Sequence, residues 1–314
     1  MNITHGPAIA LLALACAAQA APTPDQRAAA ARATAENAAN CKAVQPFYWS
    51  IGDAHGMVAD GRVGGRRAPT AATEMPIASA SKLVYAAFVA EQRHGRLTEQ
   101  DVDFLHFTSG YTHFRSCRRN QTIAECDAMG GNGEHDAADD GRFFYSGGHM
   151  ERHAVLDGLG PLDNAGLARA VNEALLGTRF RYVQPQLAGG IATSAADYGE
   201  FLRRIVAGEL QIKALLGTHE VCTNPKTCAT AAESPFTEGD AHYSIGHWVE
   251  DGPDGDGAFS SAGAFGFYPW ISQDKTTWGV LARLQFTLNG AKAGAASWRC
   301  GREIRAAWTS GQAR

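Results

Sequence analysis

The chain has no run of apolar residues approaching the ~18 that a membrane-spanning helix needs. It also lacks the surplus of positive charge with which proteins hold a phosphate backbone. Its 28 Lys+Arg stand against 32 Asp+Glu, a formal net charge of −4. That balance excludes a nucleic-acid binder held by a general phosphate-attracting field. No internal repeat is visible. No phosphate cradle is present either: Gly64-Gly65-Arg66-Arg67 is a small basic loop with no Gly-Lys-Ser/Thr behind it. What is there suits a globular chain. Apolar residues make up 45% and charged residues 19% of the 314, enough for one large domain or two intimate ones with an ample core.

Residues 1–20 contain no Asp, Glu, Lys or Arg. Ala8 to Ala18 form a short apolar run, and Ala18-Gln19-Ala20 supplies a cleavage site of the A-x-A kind before Ala21. This reads as a secretory signal peptide over residues 1–20. It predicts an exported protein, periplasmic or extracellular, with no integral membrane segment after cleavage. A buried N-terminal helix is the bland alternative. A lipidated Cys16 is another, although Ala13 stands where a larger aliphatic residue is usual.

Cysteine is scarce, seven in all. Without Cys16 the remainder are Cys41, Cys117, Cys126, Cys222, Cys228 and Cys300. An even number in an exported chain predicts disulfides, though in many connectivities. Cys117–Cys126 and Cys222–Cys228 are near enough to close local loops. Cys41–Cys300 would then clamp the start of the folded body to its end. Cys222 and Cys228 are spaced too widely for the usual zinc pair.

Thr23-Pro24 predicts a helix start, continuing to about Asn40. Pro46 to Ser50 and Gly56 to Val63 read as a hairpin. Ser79 to His94 carries apolar residues at helical spacing, and further helical patterns cover 147–158, 163–175 and 195–207. Residues 129–141, rich in Gly and Asp, form a loop. From about 240 the period changes to that of strands: Ser244 to Glu250, Gly263 to Ile271 and Thr276 to Phe286. Ala295 to Trp308 closes the chain as a helix. Strands therefore bracket a helical middle. The expectation is an α/β body built on an antiparallel sheet flanked by helices, from residues 21–103 and 235–314, with an all-α insert over 104–234.

Ser79-Ala80-Ser81-Lys82 is a Ser-x-x-Lys motif at a helix start. Residues three apart share a helix face, so the Ser79 hydroxyl and the Lys82 amine can meet. A serine hydroxyl needs a base to become a nucleophile. A lysine becomes one when burial or neighbouring positive charge lowers its pKa. The bland reading of such a motif is a capped helix with a solvated Lys. Further blocks follow in order: Leu105-His106-Phe107-Thr108-Ser109-Gly110, Phe144-Tyr145-Ser146-Gly147-Gly148, Leu187 to Asp197, and Gly263-Ala264-Phe265-Gly266-Phe267-Tyr268.

Together these blocks resemble the serine β-lactamase and penicillin-binding-protein superfamily, in its class C-like hydrolase and esterase branch. The resemblance covers residues from about 75 to 285. It implies that Ser79 is the acylated nucleophile, that Lys82 is its base, and that Tyr145 shares or relays the proton. It also implies that Ser261-Ala262-Gly263 occupies the place of the family's Lys-Thr-Gly, with Ser261 in place of the Lys. The N–H groups of Ser79 and Ala264 would then form the oxyanion hole. Gly147 stands where the family has an Asn. The pairs Lys226-Thr227 and Lys275-Thr276 lack the following Gly and are decoys. The deacylating Glu-x-x-Leu-Asn block of class A β-lactamases is absent.

His149-Met150-Glu151-Arg152-His153 spaces two histidines as a helical zinc pair would, but Glu151 is at neither of the places a zinc protease uses. A polar helix face is the expected reading there. Trp248, Tyr268 and Trp270 are read as sheet core, with a substrate cleft as the alternative. The sequence thus predicts an exported serine hydrolase that needs no metal or organic cofactor and acts on a small acyl substrate, an ester or amide. A β-lactamase or D,D-peptidase is the nearest alternative, and a non-catalytic penicillin-binding-like sensor the second.

Overall fold

Thr23 and Pro24 start a helix as their chemistry requires. The Thr23 hydroxyl accepts the Gln26 N–H, Gln26 reaches back to the Thr23 N–H, and Pro24 opens the first turn. The computed structural model describes residue 1 and residues 21–237, 241–287 and 290–314. The predicted signal peptide from residue 2 onward, with Cys16, lies outside the described residues.

Helices α1 (Pro24–Asn37) and α2 (Ala39–Lys42) lead into the hairpin β1 (Phe47–Asp53) and β2 (Gly56–Val63). The short β3 (Met75–Pro76) precedes α3 (Ser81–Gln92), α4 (Glu99–Leu105), α5 (Ile123–Asp127), β4 (Phe143–Phe144), α6 (Gly148–Leu156) and α7 (Asn164–Ala174). Next come β5 (Arg181–Tyr182), β6 (Ile191–Thr193), α8 (Ala195–Ala207), α9 (Ile212–Leu215), β7 (Val221–Cys222) and β8 (Ala231–Glu233). Strands β9 (His242–Tyr243), β10 (Trp248–Glu250), β11 (Ala258–Ser260), β12 (Tyr268–Ile271) and β13 (Trp278–Ala282) end at α10 (Gly290–Ser310).

The main sheet is antiparallel, in the order β2-β1-β13-β12-β11-β10-β9-β7. The two ends of the chain meet in it, where β1 pairs with β13. Helices cover both faces, so β1 is buried from Phe47 to Gly52 rather than alternating. Phe47, Trp49 and Ile51 pack with Ala31, Ile304 and Trp308 beneath α1 and α10, while Tyr48 points to the opposite core with α3 and α8. Disulfides join Cys41 to Cys300, Cys117 to Cys126 and Cys222 to Cys228. The first ties α2 to α10. The fold class read from the sequence, an antiparallel sheet flanked by helices, is the one observed.

Several strand boundaries differ from the sequence expectation. The strand expected over Ser244 to Glu250 is confined to β10, and residues 244–247 form a turn that leads into it from β9. Gly246 sits there at φ +69°. A Cβ on it would meet the Lys82 carbonyl oxygen at 2.8 Å and the Ala86 Cβ at 2.5 Å, so only glycine lets this turn lie against α3. The strand expected from Gly263 starts only at Tyr268. Residues 261–267 form a turn, closed by the Gly263 N–H on the Phe267 carbonyl at 2.7 Å, and β11 precedes it. Ser261-Ala262-Gly263 therefore follows a strand instead of opening one. The strand expected over Thr276 to Phe286 is confined to β13. The short helices α4, α5 and α9 lack the length over which apolar periodicity can be read.

Candidate active site

Ser79 lies on a single 3-10 turn, Ala78–Ala80, between β3 and α3. Five contacts fix that turn. The Ile77 N–H donates to the Ile191 carbonyl at 3.0 Å. The Ser81 hydroxyl donates to the Ala78 carbonyl at 2.7 Å and accepts the Ile191 N–H at 3.3 Å, so Ser81 faces away from the cleft. Tyr198 donates to the Ala80 carbonyl at 2.8 Å, and Ser261 donates to the Ser79 carbonyl at 3.0 Å. Ala78 is held at φ +45°, a left-handed conformation that a non-glycine residue keeps only when its surroundings over-determine it. The turn presents Ser79 half-buried, with its neighbours Ala78 and Ala80 buried.

Lys82 is 4% exposed. Its Nζ donates to Ser79 Oγ at 2.9 Å and to the Ala188 carbonyl at 2.9 Å. Burial lowers its pKa to about 7, with the nearby Glu151 carboxylate pulling the other way. Tyr145, just past β4, brings its ring centroid to 4.8 Å from Lys82 Nζ. It is packed in an aromatic box: stacked on Trp248 at 5.3 Å, and edge-on to Phe107 at 5.5 Å and to Tyr243 at 5.8 Å. Burial pushes the phenol up to about 12, with Ser79 the first group drawing it back. Near neutral pH the amine is thus ready to accept a proton while the phenol keeps its own.

Ser261 is buried directly after β11. Gly263 meets the backbone that leads to Ser79: a Cβ on it would stand 2.0 Å from the Ile77 carbonyl oxygen. Among the described residues no backbone bond outside the helices and strands uses the Ser79 or the Ala264 N–H.

Next to Tyr145, the glycine that stands for the family's Asn has a structural counterpart. A Cβ on Gly147 would lie 3.0 Å from a Phe114 ring carbon and 3.4 Å from the Ala188 Cβ. An aromatic ring takes the space toward which an Asn side chain would extend. Of the two decoy motifs, Lys275 is held away by the Lys213 and Leu216 carbonyls, to which it donates at 3.2 and 3.0 Å, while Thr227 lies beside the Cys222–Cys228 disulfide on the wall of the cleft that Trp248 also lines. Trp248 backs Tyr145 and also lines a cleft of about 530 Å³ with Phe236, Trp298 and Arg302. Tyr268 and Trp270 are core residues beneath α10, with Arg305 bound to the Tyr268 hydroxyl at 2.8 Å and stacked over Trp270 at 5.1 Å.

The expected polar face of α6 is instead an interior one, with His149, Glu151 and His153 all buried. Such a face is tolerated because each group is bonded. His149 pairs with Ser109 at 2.7 Å and with the Phe144 carbonyl at 3.0 Å. His153 joins Tyr85 at 2.7 Å and Asp101 at 2.9 Å, and Asp101 is clamped by Arg93. Both rings have their nitrogens occupied, so the i, i+4 spacing does not make a metal pair. Among the described residues, Glu220, His242 and Asp251 bring ligand atoms within 4.8 Å of one another, but His242 and Asp251 already pair at 2.7 Å. Sequence reasoning missed Glu151, Ala188 and Phe114. The signal available for Glu151 was its place on the same helical face as Ala154.

A turn-borne serine, a buried lysine one helical turn on and an adjacent phenol, set between an antiparallel sheet and helices, are the arrangement and fold seen in serine β-lactamases and penicillin-binding proteins. No protein-family description matches the sequence, and no curated protein does. Solved structures do. A β-lactamase from Mycobacterium bovis superposes with a TM-score of 0.55 at 15% identity, covering 85% of this chain and 96% of that one. A D-stereospecific amidohydrolase from Streptomyces sp. gives 0.57 at 14%, covering 87% and 98%. EstCE1, a hydrolase with promiscuous acyltransferase activity, gives 0.57 at 12%, covering 91% and 99%. The chain has the fold of this superfamily, as its motifs predicted.

Proposed function

We propose that the protein is an exported serine hydrolase that forms an acyl-enzyme on Ser79 with small ester or amide substrates. The observation that carries this reading is the 2.9 Å contact from the buried Lys82 amine to Ser79 Oγ, with the Tyr145 phenol alongside. Neutral Lys82 takes the Ser79 proton as Oγ attacks the substrate carbonyl. The oxygen that gains charge is met by the Ser79 and Ala264 N–H groups. Collapse breaks the bond to the leaving group, and the proton held by Lys82 passes, with Tyr145 as relay, to that group. Water then enters by the reverse path: its proton goes to the Lys82–Tyr145 pair, its oxygen to the acyl carbon, and Ser79 recovers its proton.

Two features favour esters or amides over β-lactams and peptidoglycan stems. Ser261 offers a hydroxyl where a cation would recognise a substrate carboxylate, and that hydroxyl is already bound to the Ser79 carbonyl. Phe114 fills the space beside Gly147 where an amide would bind the substrate carbonyl. Three disulfides agree with export. The test is hydrolysis of a chromogenic short-chain ester, a chromogenic cephalosporin and a D-Ala-D-Ala peptide. The ester should turn over fastest, with all turnover lost in Ser79→Ala. Cephalosporin turnover equal to that of the ester would make the protein a β-lactamase, and fluorophosphonate labelling absent from the native protein would make it a binding protein.

A further inference from the structure

One buried carboxylate has no part in the chemistry above. Glu151, in the first turn of α6, is 0% exposed. Its two oxygens accept the N–H groups of Leu187 and Ala188, at 3.0 and 3.1 Å. The carbonyl of the same Ala188 accepts from Lys82 Nζ at 2.9 Å. Contacts therefore run without a break from Glu151 through Ala188 and Lys82 to Ser79. A buried carboxylate is expensive to keep in a packed core, and here one lies close enough to the amine to influence its charge.

We propose that Glu151 is a positioning residue for the Ser79 chemistry: its two oxygens hold the 187–188 peptide so that the Ala188 carbonyl aims the Lys82 amine at Ser79. This inference rests on the acyl-enzyme reading. The groups facing the pair are few. Lys82 faces Glu151 and His149 from α6, Tyr145 beyond β4, and Ser79. Glu151 faces Lys82 and Tyr85 from α3, Asp127 from α5 and Tyr182 from β5. Burial lowers His149 to about 3, so its ring stays neutral. Burial also keeps Tyr85 and Tyr182 protonated, and Asp127 pairs with Arg152 at 3.0 Å. Burial pushes Glu151 up to about 8, with its two backbone N–H partners and Lys82 drawing it back. The amine, lowered to about 7, loses its proton before Glu151 does, so Glu151 is a neutral carboxyl while Lys82 titrates and acts on it through the Ala188 peptide rather than through charge.

The test is the rate of fluorophosphonate labelling of the whole protein between about pH 5 and 9, a range that brackets the ordinary titration of a perturbed amine. Glu151→Gln keeps the side-chain shape but turns an amide NH₂ toward one of the two backbone donors. It should label at least ~10-fold more slowly at its plateau, with its acid limb where the native protein has it, since Gln and a protonated carboxyl carry the same charge. Labelling at the native rate with the native acid limb overturns the proposal. Slower labelling with the acid limb moved to higher pH also overturns it, because a merely structural role would loosen the core and let water reach the buried amine, and a limb moved to lower pH overturns it by making Glu151 act through charge. If Glu151→Gln does not fold, carbon-13 titration of the Glu151 carboxyl in the native protein decides. The positioning role requires that carboxyl to stay protonated while the amine titrates, and ionisation complete below about pH 7 overturns the proposal. Failure of the acyl-enzyme reading itself would look different: labelling would survive Ser79→Ala.

Discussion

Raising the pH through 7 should switch on acylation, and the size of the effect follows from the burial of one amine. A lysine of ordinary pKa 10.5 is neutral in about one molecule in 3000 at pH 7, whereas one lowered to about 7 is neutral in about half. The enclosure of Lys82 thus raises the population of the base form roughly a thousandfold. The fold spends roughly 5 kcal/mol to do so, at ~1.4 kcal/mol for each tenfold change. The sign is fixed: the folded-state pKa lies below the unfolded one, so the folded protein sheds the proton first as pH rises. The rate of labelling by a fluorophosphonate should climb about tenfold per pH unit below 7 and level off above it. Since Tyr145 is held up to about 12, no descending limb should appear before the protein unfolds in alkali. Lys82→Arg, cationic at every accessible pH, should lose at least ~10²-fold in rate with the fold retained. A flat profile from about pH 5 to 9, or an ascending limb centred above about 9, would refute the reasoning.

The same structure makes two further predictions. Gly263→Ala places a Cβ 2.0 Å from the Ile77 carbonyl oxygen; because the obstacle is backbone, the Ser79 turn must move, and activity should fall at least ~10²-fold while circular dichroism stays native. Replacing Cys41 and Cys300 by Ala opens a link across 259 residues. The chain-entropy account gives a loss of roughly 5 kcal/mol for so long a loop, readable as a lowered denaturation midpoint, whereas an unchanged midpoint would show that the packing of α1 on α10 alone holds the ends together.

The parts of the fold that local chemistry dictates were legible in the sequence. Thr23-Pro24 carries its own start signal, and α8 shows apolar residues at helical spacing behind its Ser194 cap. The Ser79–Lys82 spacing needs only one helical turn to bring hydroxyl and amine together, and the structure brings them together. What escaped depends on neighbours distant in the chain. Gly246 breaks an apparent strand because α3 passes close behind it. His149, Glu151 and His153 look like a solvated face because the sequence does not announce that Ser109, Asp101 and the 187–188 peptide supply their hydrogen bonds. Phe114 reaches Gly147 from a segment with no regular secondary structure, where no period exists to read.

The proposed covalent chemistry at Ser79 is tested most directly by intact-protein mass after brief incubation with an activated ester, followed by peptide mapping. The account predicts one added acyl group, located on the peptide containing Ser79, formed more slowly below pH 7 and absent from Ser79→Ala. An acyl group found on another residue, or ester turnover that persists in Ser79→Ala, would contradict it.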